Sequence, residues 1–316
     1  MPGSPVLVET YRPPAGDELL RRLRGHGTPR PAVDPGLAGG LRDWLEDGLA
    51  AAGAGDPGSA ASPGVRVTKE TLTAALLCEA HLVARRSTPR GVTVELARGG
   101  LVDALFQQWV TVGRIDDPFA EALGALTVGG DEDGIAAFVE GLPEAERRAL
   151  ADEIAAHAAG IAARWPVPSP TWLPRTQERV VVPLVGGRVV LGGVVDLALG
   201  APAGATASVC VVEVKSGRRR LEHRADLHFY ALLETLRSGA PPFRVATYYT
   251  RSGELDVEPV TDDVLIGAVQ RVLAGGRRLC RLAGGAEPSR TPNPLCPWCP
   301  DLPRCEPGRA HRPPSR

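Results

Sequence analysis

Residues 188–217 read RVVLGGVVDLALGAPAGATASVCVVEVKSG, and the fold turns on this stretch. It holds two Val-rich runs, Arg188 to Leu199 and Ser208 to Val214, separated by Gly, Pro and Ala. That is the pattern of two strands joined by a turn. Charges break into the apolar sequence at Asp196, Glu213 and Lys215, and a charge in a buried strand needs a reason. Alternate strand residues share a face, so Glu213 and Lys215 point the same way and can meet Asp196 on the neighbouring strand. Two hard oxygen ligands with open positions suit Mg²⁺, which keeps several waters and is commonly shared with phosphate. The ammonium could then position or deprotonate a water. The alternative is an edge ion pair between Glu213 and Lys215, worth little.

Upstream, Arg179 to Pro183 predicts a further strand, joined to the next by the hairpin signal Val185-Gly186-Gly187. Downstream, the spacing predicts a helix over Arg224 to Leu236, a strand over Val245 to Thr250, a turn at Arg251 to Gly253 and a closing helix over Asp262 to Leu282. Before the strands, Thr68 to Ala84 predicts one helix capped by Thr68, and Gly100 to Val110 predicts another. Asp116 to Glu153 carries eleven acids against two arginines and predicts an acidic helical insert. Residues 1–64 mix Pro and Gly with two short helical patterns, around Asp17 to Leu23 and Leu41 to Ala52, and predict a loosely packed arm. The expected class is α/β, a small mixed sheet flanked by helices. Its expected segments are an N-terminal arm over 1–64, a helical region over 65–165, a core over 166–285 and a cysteine-rich segment over 286–316.

Composition narrows the function classes. The 316 residues carry a net charge of −1 and are 43% hydrophobic, which indicates a folded globular chain and excludes a uniformly basic nucleic-acid coat protein. No apolar run is long enough to span a bilayer, and the N-terminus lacks a secretory pattern, so a cytoplasmic, reducing location is expected. Thirty-four of the 36 basic residues are arginine; the two lysines are Lys69 and Lys215. Neither follows a glycine, which excludes a phosphate-binding loop of the nucleotide-hydrolysing motors. Where charge alone matters arginine serves, so Lys215 marks a place that needs a compact, deprotonatable ammonium. Arg218, Arg219, Arg220 and Arg224 follow it and would attract a phosphate backbone, and residues 271–316 add nine arginines against three acids.

The segment GGVVDLALG…VCVVEVKSG resembles the core motif of the PD-(D/E)XK nuclease superfamily, in particular its RecB-like branch, which includes the AddB nuclease domain and CRISPR-associated RecB-like exonucleases. The resemblance implies a restriction-endonuclease-like core in which Asp196 and Glu213 bind Mg²⁺ or Mn²⁺ and Lys215 assists the attacking water. Asp226-Leu-His-Phe-Tyr230 is similar to the family's Q-L-x-x-Y motif, with Tyr230 matching and Asp226 in place of glutamine. Arg98-Gly-Gly-Leu-Val-Asp103 resembles a helix start whose last position is usually a metal-binding histidine. Asp103 can ligate through oxygen, or can be a first-turn acid favoured by the helix dipole. Glu178 fits a recurrent family acid, or is a solvated charge.

Cys296, Cys299 and Cys305 form a C-x₂-C-x₅-C cluster in a Pro-rich tail with little core of its own, which a metal would order. Three thiolates need a fourth ligand. His311 would complete a local zinc site. The RecB-like resemblance instead implies a 4Fe-4S cluster held by Cys78 and these three cysteines, clamping the tail to an N-terminal helix. Cys210 and Cys280 match no ligand spacing and are expected to be buried. The function expected is a metal-dependent DNA nuclease, an exonuclease type, acting in repair, recombination or phage defence beside a separate helicase or CRISPR protein. The alternatives are a DNA-binding or assembly module that kept the fold without efficient hydrolysis, and a structural zinc protein.

Overall fold

The Arg188–Gly217 stretch lies at the centre of a six-stranded mixed sheet in a computed structural model, which describes residues 18–19, 21–23, 28–54, 64–88, 91–131 and 134–311. The strands are β1 (Val65–Val67), β2 (Arg175–Leu184), β3 (Val189–Leu199), β4 (Cys210–Lys215), β5 (Arg244–Tyr249) and β6 (Glu254–Pro259). The α-helices are α1 (Leu37–Leu49), α2 (Lys69–Leu77), α3 (Glu79–Ser87), α4 (Val94–Val112), α5 (Pro118–Val128), α6 (Ile135–Glu140), α7 (Glu144–Arg164), α8 (Glu222–Ser238), α9 (Asp262–Ala283) and α10 (Glu306–Ala310). The class is therefore α/β with a restriction-endonuclease-like arrangement. No helix among the described residues is long and apolar enough to cross a membrane.

The sheet has two apolar faces, and β3 changes from one to the other beside Asp196, with Val195 in one core and Leu197 in the other. One packs Val182, Leu191 and Val211 against Leu45 of α1, Leu72 of α2, Leu232 of α8 and Val269 of α9. The other packs Leu197, Val212 and Tyr248 against Phe106 of α4 and Trp165 at the end of α7. There the Trp165 ring stands 4.9 Å from Phe106 and 4.6 Å from Tyr248. Helices α4 to α7 also share a cluster of their own, with Leu101, Leu105, Ala122, Val139 and Ile154 inside it. The acidic stretch is thus a helical layer with its own core, its charges turned outward.

The expected strands and helices form with ends shifted by a few residues, and four differences stand out. The predicted helix over Thr68 to Ala84 is two helices, broken where Cys78 is extended at φ −163° and ψ 116°. Thr68 caps the first of them, exchanging hydrogen bonds with Thr71. Beyond the expected turn at Arg251 to Gly253 lies β6, which pairs antiparallel with β5, and β1 pairs parallel with β3. Finally, Leu41 to Ala52 is not loose: α1 buries Leu41, Leu45 and Leu49 in the main core, and Arg277 Nε donates to Gly48 O at 3.0 Å. The Asp17 to Leu23 pattern falls partly outside the described residues, but Leu19 and Leu23 are buried against the sheet.

Candidate active site

Strand register brings the charged residues together. β2 runs along one edge of β3, from Leu184 opposite Val189 to Arg175 opposite Ala198. β1 and β4 must therefore share the other edge, β1 at Val189 to Leu191 and β4 at Leu197 to Leu199. Between them, Gly192 to Asp196 faces no paired strand on that edge. The chain leaving β1 enters this gap as the first turn of α2, and β4 enters it from the opposite end after Val212. Carrying the registers forward sets Lys69 level with Gly193 and Lys215 level with Val194. Two residues remote in sequence thus reach one point from opposite directions.

That point is Glu213. Lys215 Nζ donates to Glu213 Oε1 at 2.6 Å, and Lys69 Nζ donates to the same oxygen. The second oxygen, Oε2, is buried and has no hydrogen-bond partner among the described residues. Asp196 Oδ2 accepts from the Val214 N–H at 2.7 Å. Asp103, half-buried on α4, lines a pocket of about 220 Å³ with Lys215, Ser216, Arg218, Arg220 and His223. Tyr230 on α8 packs beneath, its ring centroid 4.9 Å from Lys69 Nζ. Tyr230 reaches this place because residue 193 is glycine: a Cβ there would stand 2.8 Å from Tyr230 Cε1.

The electrostatics describe a site short of positive charge on one side. Burial and the Glu213 charge push Asp103 up to about 7. Burial, with Glu213 and Asp103 nearby, raises Asp196 well above the carboxylate range. Burial would raise Glu213 too, but the Lys69 and Lys215 ammoniums outweigh it and hold that carboxyl below its ordinary value. Burial likewise opposes charge on Lys69, and Glu213 overcomes it, so the ammonium is held charged. Asp226 is raised by burial, as is the Tyr230 phenol.

An oxygen-only donor set with an orphaned buried carboxylate oxygen and two acids driven toward protonation fits a hard divalent cation, which would replace the protons. The fit is chemical rather than a finished cage: among the described residues no three His, Cys, Asp or Glu side chains converge into a group that could hold a metal ion. Of the four arginines after the lysine, Arg218 and Arg220 face the pocket. Arg219 instead pairs with Asp256 at 2.7 Å and Arg224 with Glu258 at 2.6 Å, both acids on β6. Glu178 is held by Arg175 and Arg237. Several arginines after residue 270 turn inward: Arg271 bonds Thr73, Arg278 bonds the Ala75 and Leu76 carbonyls, and Arg281 bonds Glu79. These form structural ties rather than part of a basic surface.

Cys78, Cys296, Cys299 and Cys305 line one small cavity, together with His81, Asn293 and Gly308. The break after α2 is what turns Cys78 to it. Cys296 Sγ accepts the Asn293 N–H at 3.2 Å, and Cys305 Sγ accepts the Gly308 N–H at 3.3 Å. Burial raises the Cys299 thiol, and Cys78 and Cys305 are close enough to act on it electrostatically. Four sulfurs around one cavity are the donor chemistry of an iron–sulfur cluster or of zinc, though among the described residues no three of them converge into a group that could hold a metal ion. His311 is not among the residues lining this cavity. Cys210 and Cys280 are buried, on β4 and α9.

Sequence reasoning missed Lys69. The count of two lysines was the available signal, but nothing local linked position 69 to Glu213. His81 was missed as well; its Nδ1 is buried beside the cysteines and has no partner among the described residues.

Residues 72–306 match the family model of the PD-(D/E)XK nuclease superfamily. Among solved structures, a Eubacterium rectale protein provisionally designated an exonuclease aligns at 13% identity and a TM-score of 0.44, over 80% of this chain and 90% of that one. The structure of SSO0001 aligns at 13% identity and a TM-score of 0.35, over 84% of this chain and 93% of that one. No curated protein matches the chain.

Proposed function

Because the chain belongs to the PD-(D/E)XK nuclease superfamily, we propose that it is a Mg²⁺- or Mn²⁺-dependent deoxyribonuclease of the RecB-like, exonuclease type. The observation that carries this reading is the orphaned, buried Oε2 of Glu213 beside Asp196 and Asp103. Glu213, Asp196 and Asp103 would hold the divalent ion, which when bound supplies activation of water and stabilisation of the leaving oxygen. Lys215 fixes Glu213 through Oε1 and lines the pocket, where its ammonium can orient a water and take part in moving its proton. Arg218 and Arg220 on the pocket wall would receive the phosphates of DNA. Tyr230 supports Lys69 from below.

In the same reading Cys78, Cys296, Cys299 and Cys305 hold a 4Fe-4S cluster that orders the segment from 286 onward. Repair, recombination or phage defence, beside a separate helicase or CRISPR protein, is the setting such a nuclease would serve. Asp103 and Asp226, in place of the family's histidine and glutamine, favour a second reading: a DNA-binding module on the same fold with little hydrolysis.

The test is cleavage of DNA in Mg²⁺ and in Mn²⁺, with iron measured on the same samples. Asp196→Ala, Glu213→Ala and Lys215→Ala should each abolish cutting with iron unchanged. Lys215→Arg should bind DNA as the parent does and lose most cleavage, since a guanidinium is effectively never deprotonated. DNA binding with no cleavage in either metal selects the second reading, and zinc without iron rejects the cluster.

A further inference from the structure

Glu213 Oε1 accepts from both lysines of the chain, while Oε2 has no hydrogen-bond partner among the described residues. A stabilising ion pair does not require this. Two ammoniums on one oxygen repel each other, and Lys215 alone satisfies it. Lys69 also occupies the first position of α2, where a cation opposes the helix dipole. Burial adds a further cost, since its side chain is only 17% exposed. A lysine kept at this spot, in a chain with only two, has a task that its charge there performs.

We infer that Lys69 is a positioning residue that divides Glu213 in two. It closes Oε1 to divalent cations and leaves Oε2 for one ion shared with Asp196 and Asp103. Lys69 thus stands as a built-in monovalent cation and limits the carboxylate cluster to a single divalent ion. This rests on the reading of that cluster as a metal site. Lys69 precedes the residues matched to the family, which begin at Leu72. Its side chain is held by Glu213, by the Tyr230 ring and, at 4.0 Å, by Glu70.

The probe is Mn²⁺ titrated calorimetrically into the full-length chain without DNA, at fixed salt and pH 8. The parent should bind one ion at the carboxylates, and Asp196→Asn should abolish that binding. Lys69→Met keeps the aliphatic stem over Tyr230 and removes the charge. It should bind Mn²⁺ about tenfold more tightly or take up a second ion, because a like charge beside the site is gone. Lys69→Gln should behave as Lys69→Met does, and Lys69→Arg should retain one ion at near-parental affinity. One ion at unchanged or weaker affinity in both Lys69→Met and Lys69→Gln overturns the inference and leaves the metal site standing. A parent that binds no Mn²⁺, or that Asp196→Asn does not alter, overturns the metal reading and this inference with it.

Discussion

Asp103 shows how a single side chain reports on its surroundings. With its carboxyl raised from 3.8 to about 7 by burial and the Glu213 charge, the folded protein retains a proton that the unfolded chain releases. Stability linked to this group is therefore lost as pH rises from about 4 through 7, and the full cost stands above 7. In chelator-treated protein, Asp103→Asn should raise the melting temperature at pH 8, by an amount that shrinks steadily toward pH 4. A gain independent of pH would mean that Asp103 is not charged against its neighbours. Gly193 makes a separate case at the same scale. The ring its Cβ would meet is itself buried, so Gly193→Ala must displace Tyr230 or bend β3. Overpacking of this kind costs about 1–3 kcal/mol, measurable as a shift in denaturant midpoint. A parental midpoint would show that Tyr230 moves aside freely.

Elements are where sequence and structure part in instructive ways. β3 and β4 were legible because their Val-rich runs are bounded by Gly and Pro and broken only by the charges of Asp196, Glu213 and Lys215. β6 reads Glu-Leu-Asp-Val-Glu-Pro, too polar to suggest a strand; it forms because every residue from Glu254 to Pro259 pairs with β5. β1 spans three residues and exists only through its register with β3. The break at Cys78 has no local cause either. The N–H of Ala80, in the first turn of α3, donates to Ser289 O at 3.1 Å, and Glu79 accepts the Ser289 N–H at 2.7 Å, so the second helix starts where the C-terminal segment crosses it. Because α2 stops there, the Ala75 and Leu76 carbonyls at its end are open, and Arg278 Nη1 bonds them at 3.0 and 3.1 Å. Arg278→Met should cost about 1–3 kcal/mol, as expected for a charged donor removed from part-buried acceptors. An unchanged midpoint would assign those carbonyls to solvent.

Across the whole molecule, Asp196, Glu213 and Lys215 were legible together because neighbouring strands of one sheet carry them, whereas Lys69 was not, because its arrival depends on which edge of β3 accepts β1. The C-terminal segment poses the same problem over a longer range. From Ala286 onward it has two short 3₁₀ turns and the five-residue α10, and it adds no residue to the main core. Its described ties to the body include the Ser289 contacts, the bond from Arg281 Nη1 to the Glu287 carbonyl at 3.1 Å near its start and the cavity shared by Cys78 with Cys296, Cys299 and Cys305. The first two hold only the stretch before Arg290, so on the proposed reading the order beyond it comes from a cluster that the cysteines would hold. Cys305→Ser should therefore expose residues 290–311 to limited proteolysis while the sheet stays folded, because no main-core residue is altered. Cys280→Ser, at a buried cysteine outside the cavity, should leave that segment protected even if it lowers the melting temperature. Equal protection of the segment in both variants would show that packing, not a shared cluster, holds it. Release of the segment together with unfolding of the sheet would show that the two are one cooperative unit, and the cysteines would then belong to global stability rather than to a clamp.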